Sequence, residues 1–445
     1  MRRLSILGGV TMALVAVVAC AQSDELSDSQ LPPPGPEEQP TIPDAGPQSS
    51  DEADGGSDAS VDASGPECSA DGWCETLLPT SDLVLRDIWP LADRAFAIAE
   101  SRTLGIKILE WTNVDSTWRY IDDNSQNESL ADIGVKIWAP SADEVYFVVA
   151  PAAVHHGTRP VAPATDWTWE SANLADNNPS VSPADDAQRR MTLGIWGTGS
   201  DDVYAWYSNT IYRRKSVAGG GHEWVADLVA DDVGEADEYV FFTGGAGTQP
   251  GNVWFSGIRA RPFNGTCSVV VRKAAEGYDR IADGIPTGYW TPCAPKDGVP
   301  LVLPGTDNPS LYPLAAWPLQ FQSTDGQRFF ALKPPNEILQ IAPDGEGYSM
   351  STAVVPGSIV NQPTWSSVWG ESADRLWMAG TTDPSTSWGI VLRGDQVWGE
   401  AGSYEFSSFA LNGVPTRQAP TQIRGTGSTN LWAVGNGYAL HKTTP

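Results

Sequence analysis

Five stretches decide the fold: DIWPLADRAFAIA (87–99), KIWAPSADEVYFVVA (136–150), GIWGTGSDDVYAWY (194–207), VWGESADRLWMAG (368–380) and IRGTGSTNLWAVG (423–435). In each, an apolar strand ends, a turn of Gly, Ser, Asp and similar residues follows, and a second apolar strand begins. Such residues tolerate the tight backbone of a hairpin. Two degenerate copies, FFTGGAGTQPGNVWFSG (241–257) and AAWPLQFQSTDGQRFFALK (315–333), fill the gap and bring the count to seven. Aligned on the second strand, every copy has an aromatic at one position: Phe96, Tyr146, Tyr204, Trp254, Phe330, Trp377 and Trp432. The residue before it is apolar each time: Ala95, Val145, Val203, Val253, Phe329, Leu376 and Leu431. Neighbours in a strand face opposite sides, so this strand is apolar on both faces and must be covered on both. Sheets stacked around an axis provide that cover, as in a β-propeller, where each blade has a blade on either side.

A second aromatic marker follows 18 to 24 residues later, where a fourth strand should start: Trp118, Trp169, Trp224, Tyr278, Tyr348 and Trp398. The last copy runs out at Pro445 before a fourth strand can form, while an unmatched Trp73 stands before the first copy. The arrangement predicts an all-β, seven-bladed propeller over 68–445, closed by an N-terminal strand that completes the last blade and leaves no open edge. The composition agrees, since 44 Gly and 35 Pro with only 18% charged residues make a turn-rich chain, against about 25% charged in an average globular domain.

At this point the chain resembles the repeat family of extracytoplasmic bacterial propeller lipoproteins, whose units read roughly W-G-x-S-x-x-D-V-W-A-V-G; residues 195–207 and 423–435 match best. Kelch, tectonin and sialidase-type propellers look more distant, and Ser323-Thr324-Asp325-Gly326 does not meet the sialidase Asp-box S-x-D-x-G. The resemblance implies fold and location far more than an activity.

The N-terminus points the same way. Arg2 and Arg3 precede an apolar stretch from Leu4 to Ala19 that is too short and too Gly-rich for a stable span, so residues 1–20 read as a signal peptide. Its end, Val17-Val18-Ala19-Cys20, resembles a lipobox, and Cys20 is taken as the lipid attachment site; two or three acyl chains suffice for stable anchoring. An ordinary signal peptide with Cys20 incidental is the weaker alternative. Residues 21–67 carry twelve Asp/Glu and no Lys, Arg or His, with LPPPGPEEQP (31–40) and SSDEADGGSDAS (49–60) as the densest parts. Such a segment buries no core and is expected to be a disordered, extended tether; the calcium-loop spacing D-x-[DN]-x-[DN]-G is absent. The expected address is the bacterial cell envelope, at the outer membrane or cell surface rather than the inner membrane.

Four cysteines remain besides Cys20, an even number that suits an oxidising compartment. Local pairing favours Cys68 with Cys74 and Cys267 with Cys293, the second closing a loop worth about 3 kcal/mol. No C-x-x-C and no nearby His supports a metal. The region from Arg259 to Leu314 reads as the largest departure from the repeat, and as either a rigid recognition loop or a tolerated insertion.

The net charge of −28 excludes nucleic acid as a partner, because one basic cluster, Arg213, Arg214 and Lys215, does not reverse the field. Removing the tether's acidic residues and the two signal arginines still leaves −18 on residues 68–445. No G-x-S-x-G, H-E-x-x-H, G-x-x-x-x-G-K-[ST] or strand-following G-x-G-x-x-G is present, so the standard hydrolase, zincin and nucleotide signatures are excluded. No cofactor and no metal are expected. His155 and His156 read as surface histidines of a loop, and the 55 acidic residues do not single out a glycosidase pair. Of the 19 Trp, Trp111, Trp167, Trp290, Trp365 and Trp388 fall outside both markers and are the candidates for stacking on a ligand.

These observations favour a monomeric, membrane-tethered binding propeller whose ligand is a protein or a glycan. A propeller enzyme acting on polysaccharide through paired carboxylates and an envelope-assembly scaffold are the alternatives. Clustered carboxylates in a cleft would favour the enzyme, and an aromatic patch would favour binding.

Overall fold

The computed structural model describes residues 68–127, 135–178, 193–230, 239–261, 266–285, 287, 292–301, 327–333, 336–360, 363–382, 388–410 and 418–444. Cys20, the tether 21–67 and Trp290 lie outside the described residues. Strand β1 spans Trp73–Glu75. Blade 1 holds β2 (Val84–Pro90), β3 (Arg94–Ser101), β4 (Gly105–Thr112) and β5 (Trp118–Tyr120); blade 2 holds β6 (Lys136–Ser141), β7 (Glu144–Val149), β8 (Ala153–Thr158) and β9 (Thr168–Asn173). Blade 3 is β10 (Leu193–Gly199), β11 (Asp202–Tyr207), β12 (Thr210–Val217) and β13 (Gly221–Val229). Blade 4 is β14 (Tyr239–Gln249), β15 (Asn252–Ala260), β16 (Thr266–Ala274) and β17 (Gly277–Ala282). In blade 5 the described strands are β18 (Phe329–Lys333), β19 (Glu337–Asp344) and β20 (Gly347–Val354), and blade 6 is β21 (Thr364–Ser372), β22 (Arg375–Thr381), β23 (Gly389–Asp395) and β24 (Ser403–Phe406). Blade 7 contains β25 (Gln422–Gly427), β26 (Asn430–Gly435) and β27 (Tyr438–Lys442).

All seven sheets are antiparallel meanders, and the last has the order β1-β27-β26-β25. The N-terminal strand therefore completes the final blade, with Trp73 opposite Lys442 and Cys74 opposite His441. Short hairpins explain the meander: each connection is too brief for a parallel crossover, so successive strands must pair antiparallel. The ring closes where β2 packs against β25 and β26.

In blades 1–4, 6 and 7 the aligned aromatic lies on the second strand, and in blade 5 it lies on β18; all are buried, as are the apolar residues before them. Burial on both faces is what the sandwiching of each sheet between two neighbours requires. Trp73 meets Trp377 of blade 6 edge-on at 6.3 Å, and Trp254 of blade 4 lies 5.9 Å from Phe329 of blade 5. On the innermost strands, Trp89 of blade 1 lies 4.8 Å from Trp196 of blade 3. Blades that are not neighbours thus touch across the axis, with the Arg424 guanidinium of blade 7 also 5.8 Å from the Trp196 ring of blade 3.

Two expectations are corrected. Residues 266–282 are regular, because β16 and β17 are ordinary third and fourth strands of blade 4, and Arg259 and Ala260 end β15; an insertion begins only after Ala282. The disulfide Cys267–Cys293 ties that later segment back to β16, and Cys68–Cys74 fastens the start of the closing strand. Asp283, beside the insertion, is buried against Arg259 (3.1 Å) and Arg280 (2.8 Å). Burial raises its carboxyl pKa despite those charges. Secondly, His155 and His156 belong to strand β8 and point to opposite faces. His155 is buried and stacks on Phe147 at 4.6 Å, so it is a core residue, and burial lowers its pKa to about 4.

Candidate functional site

Each blade builds one polar arrangement around its buried aromatic. Residues i and i+2 of a strand share a face, so the residue two before the aromatic lies beside it, and the third strand supplies the residue directly opposite. That opposite residue is His156 for Tyr146, Arg213 for Tyr204, Arg272 for Trp254, Gln340 for Phe330, Arg393 for Trp377 and His441 for Trp432. Where it is basic, it lies over the ring. His156 and His441 stack at 4.4 and 4.0 Å, and the guanidinium groups of Arg213, Arg272 and Arg393 stand 5.7, 5.4 and 5.9 Å from their ring centres. An acceptor two residues before the aromatic holds it in place: Glu144 for His156 (3.0 Å), Asp202 for Arg213 (2.9 Å), Asn252 for Arg272 (3.0 Å) and Asn430 for His441 (3.0 Å).

Blade 1 inverts this polarity. Arg94 stands two before Phe96, and the residue opposite Phe96 is an acid, Glu110. The Glu110 side chain is fully buried and receives three guanidinium groups: Arg94 (2.8 Å), Arg119 (2.7 Å) and, from blade 2, Arg159 (2.5 Å). Burial alone would raise its pKa, but the hydrogen bonds and charges of Arg159 and Arg119 outweigh that and hold it below the usual carboxylate range. A buried carboxylate survives as an anion only with such pairing.

Arg159 opens the connection from β8 to β9, which is longer than the other third-to-fourth-strand connections among the described residues. Besides Glu110, it donates to the Ala142 carbonyl (2.9 Å) and lies 3.0 Å from Asp143. Its guanidinium stands 4.7 Å from the centre of the Trp167 ring. Trp167 meets Phe96 edge-on at 5.9 Å and lies beside Trp169 at 6.0 Å with the rings 23° from parallel. Trp169 donates to the Ile121 carbonyl (3.1 Å) and covers Gly157, where a Cβ would stand 2.4 Å from the ring, so the indole lies flat only because that residue is glycine.

Between strand β5 of blade 1 and this connection runs a cleft of about 370 Å³, lined among others by Arg119, Tyr120, Asp122, Asp123, Arg159, Asp166, Trp167 and Trp169. Both tryptophans are half-buried. Two of the cleft carboxylates are committed to the protein itself. Asp122 is buried against Lys107 (3.1 Å) and accepts the Ile108 backbone N–H (3.1 Å), while Asp123 accepts the Ser125 backbone N–H (3.0 Å). Hydrogen bonds from Ser125 overcome the effect of burial and lower the Asp123 pKa. The cleft therefore offers indole surface framed by polar groups, which suits stacking against an apolar face with hydrogen bonds at its rim. Among the described residues no group of three His, Cys, Asp or Glu is arranged to hold a metal ion.

The other tryptophans proposed for ligand stacking are distributed differently. Trp111 is 6% exposed and packs against Trp432 (4.9 Å) and His441 (5.1 Å) at the seam of blades 1 and 7, and Trp365 is 7% exposed in the core of blade 6. Neither presents a ring face to a ligand, and both are corrected to core residues. Trp388, just before β23, is 39% exposed and lies far in sequence from the cleft. Arg213 and Lys215 pair with Asp202 (2.9 Å) and Asp227 (3.2 Å), and Arg214 lies 3.5 Å from Glu170. Glu110 and Arg159 were not singled out by the sequence; aligning third strands, rather than second strands, would have exposed Glu110 as the odd acid.

No family model and no curated protein matches the chain. Among solved structures, the β-propeller domain of Myceliophteria thermophila Cps50 (Swd1) is similar at 9% identity and a TM-score of 0.49, covering 84% of this chain and 99% of that one. A polysaccharide lyase of family PL25, an ulvan lyase, is similar at 8% identity and a TM-score of 0.45, covering 85% and 94%. The GH93 alpha-L-arabinofuranosidase of Fusarium graminearum is similar at 12% identity and a TM-score of 0.38, covering 70% and 92%. At such identities these likenesses concern the fold, which the strand pairing above establishes independently.

Proposed function

We propose that the protein is a non-catalytic binding propeller of the bacterial cell envelope, and that it takes a glycan in the cleft between blades 1 and 2. The observation that carries this reading is the half-buried Trp167–Trp169 pair, framed by Arg159 and held by a fully buried Glu110. Flat, preformed aromatic surface matches the apolar face of a sugar ring, and the guanidinium and carboxylate groups at its edge match hydroxyls. The commitment of Asp122 and Asp123 to Lys107 and to backbone N–H groups weighs against a polysaccharide-cleaving pair there.

Tethering through a lipidated Cys20 and the acidic segment 21–67, together with membership of the propeller lipoprotein repeat family, belongs to the same proposal. The lipobox-like end of the signal peptide and two disulfides in the folded part support it. In this reading the protein works as a monomer. The test is retention of the full chain on immobilised cellulose, xylan, chitin and peptidoglycan, repeated with Trp167→Ala. Retention by at least one glycan, lost in the variant, is the expected result; no retention, or retention indifferent to Trp167→Ala, ends the proposal. Fatty-acid labelling of the wild type and of Cys20→Ala tests the anchor separately.

A further inference from the structure

A second cleft, of about 250 Å³, lies at the seam of blades 6 and 7, lined among others by Trp377, Arg393, Glu405 and Ser407 on one side and by Asp71 and Lys442 on the other. Its chemistry follows from the repeated polar arrangement. In blades 2, 3 and 7 the residue two before the aromatic accepts from it: Tyr146 Oη donates to Glu144 (2.5 Å), Tyr204 Oη to Asp202 (2.8 Å) and Trp432 Nε1 to Asn430 (3.1 Å). Blades 1 and 5 place Arg94 and Arg328 there, but before Phe96 and Phe330, which have no donor to satisfy. Only blade 6 sets an arginine, Arg375, before a tryptophan. Arg375 turns to Asp395 (2.8 Å) and Glu371 (3.2 Å). Trp377 is 2% exposed, and its Nε1–H meets no acceptor among the described residues, a state it shares with Trp111, Trp196, Trp206 and Trp365. A buried donor without an acceptor is costly, and of these five indoles Trp377 is the one that lines this cleft.

Two cations border the same space. Arg393 lies over the Trp377 ring and 3.0 Å from Asp395. Lys442 is 3% exposed and donates to the Asp71 carbonyl. Burial lowers the Lys442 pKa; the charge of Arg393 adds to that effect and Asp71 opposes it, so the two cations repel one another. The Asp71 carboxylate accepts the Ser408 backbone N–H, and Glu405, opposite Arg393 in register, is exposed.

We infer that this seam is an oxyanion site, in which a carboxylate or sulfate group accepts from Trp377 Nε1 and lies between Arg393 and Lys442. The ligand supplies the acceptor that the repeat provides in blades 2, 3 and 7 and omits in blade 6. Because Asp71 precedes β1 and Lys442 ends β27, an occupied site also links the ring-closing strands to blade 6. Nothing in this inference depends on the cleft between blades 1 and 2.

The experiment is calorimetric titration of the full chain with sodium sulfate and with trigalacturonate at constant ionic strength. Arg375→Asn is the decisive variant, since it gives Trp377 the internal acceptor that Asn430 gives Trp432. Arg375→Ala removes the same charge without supplying an acceptor. Saturable sulfate binding in the wild type, at least tenfold weaker in Arg375→Asn and in Arg393→Gln but within threefold in Arg375→Ala, supports the site. Tighter binding of trigalacturonate than of sulfate assigns it to an acidic polymer, and equal or weaker binding to a free anion. No saturable binding of either probe overturns the inference, as does equal binding by Arg375→Asn and Arg375→Ala. If Arg393→Gln loses the circular dichroism of the fold, Lys442→Met takes its place.

Discussion

The seams on either side of the ring closure handle one irregularity in opposite ways. In blade 1 and in blade 6 an arginine replaces the acceptor that stands two before the aromatic in blades 2, 3, 4 and 7. Blade 1 compensates internally: its aromatic is Phe96, and the opposite residue is Glu110, which gathers Arg94, Arg119 and Arg159. Blade 6 keeps a tryptophan and a cationic opposite residue: Trp377 lines a cleft with its Nε1–H unanswered among the described residues, while Arg393 pairs with Asp395. The same backbone slot thus yields a rigid, charge-paired wall in one place and an indole donor without an internal acceptor in the other. What differs is a side chain on the third strand, and the physics of buried polar groups decides the consequence.

The largest effect is expected at the closing strand. Removing residues 68–82 deletes β1 from blade 7 and uncovers Trp377, so the cooperative thermal transition should be lost; Trp73→Ala alone should cost about 3–5 kcal/mol by denaturant titration. At the other seam, Glu110→Ala leaves three guanidinium groups around a buried void and should cost about 3–5 kcal/mol. If it costs under about 1 kcal/mol, the triad is not what joins blades 1 and 2.

Acid sharpens the contrast with the blades that use histidine. Burial lowers the pKa values of His155 and His441 from 6.5 to about 4. Between those values the unfolded chain binds more protons than the folded one, so stability falls as pH drops from 6.5 towards 4. The loss should reach about 3 kcal/mol for each residue at the acid end, and His441→Gln should remove its share from a stability profile measured over that range.

Smaller effects are expected where an acceptor is restored or nothing is buried. Arg375→Asn should stabilise by about 1 kcal/mol, the usual net value of one hydrogen bond, and a destabilisation of that size would deny that blade 6 lacks an acceptor. Deleting residues 21–66 should leave the melting temperature within about a degree of the wild type, because an acidic, proline-rich segment has no core to contribute.

The sequence disclosed the blades because their decisive signal is local. An aromatic and the apolar residue before it sit in one hairpin with a short turn, so the spacing survives from copy to copy. Trp73 was readable for the same reason, as a marker without a partner, and the cysteine pairs as near neighbours. Glu110 was not readable. The distance from the aromatic to its third-strand partner runs from nine residues, Tyr204 to Arg213, to 18, Trp254 to Arg272, as the hairpins between them vary. A residue's place opposite the ring is a matter of strand register, which spacing does not preserve. Trp111 and Trp365 were misread because third and first strands are also covered on both faces, so lying outside the two markers does not mean lying outside the core.

The amino-acid sequence by itself determined the architecture: seven hairpin units, apolar on both strand faces, have no way to bury those faces except by stacking around an axis, and the stray N-terminal aromatic completes the ring. Only the tertiary structure decided where the chemistry lies. Glu110 draws its partners from two blades, and the cleft beside it exists because Trp167 and Trp169 of one blade lean on Phe96 and Ile121 of the next. Trp377, Arg393 and Lys442 come together only because a ring must close on itself. Local sequence sets which faces are apolar; which polar side chains meet across a seam depends on register and on the neighbouring blade, and no single repeat encodes either.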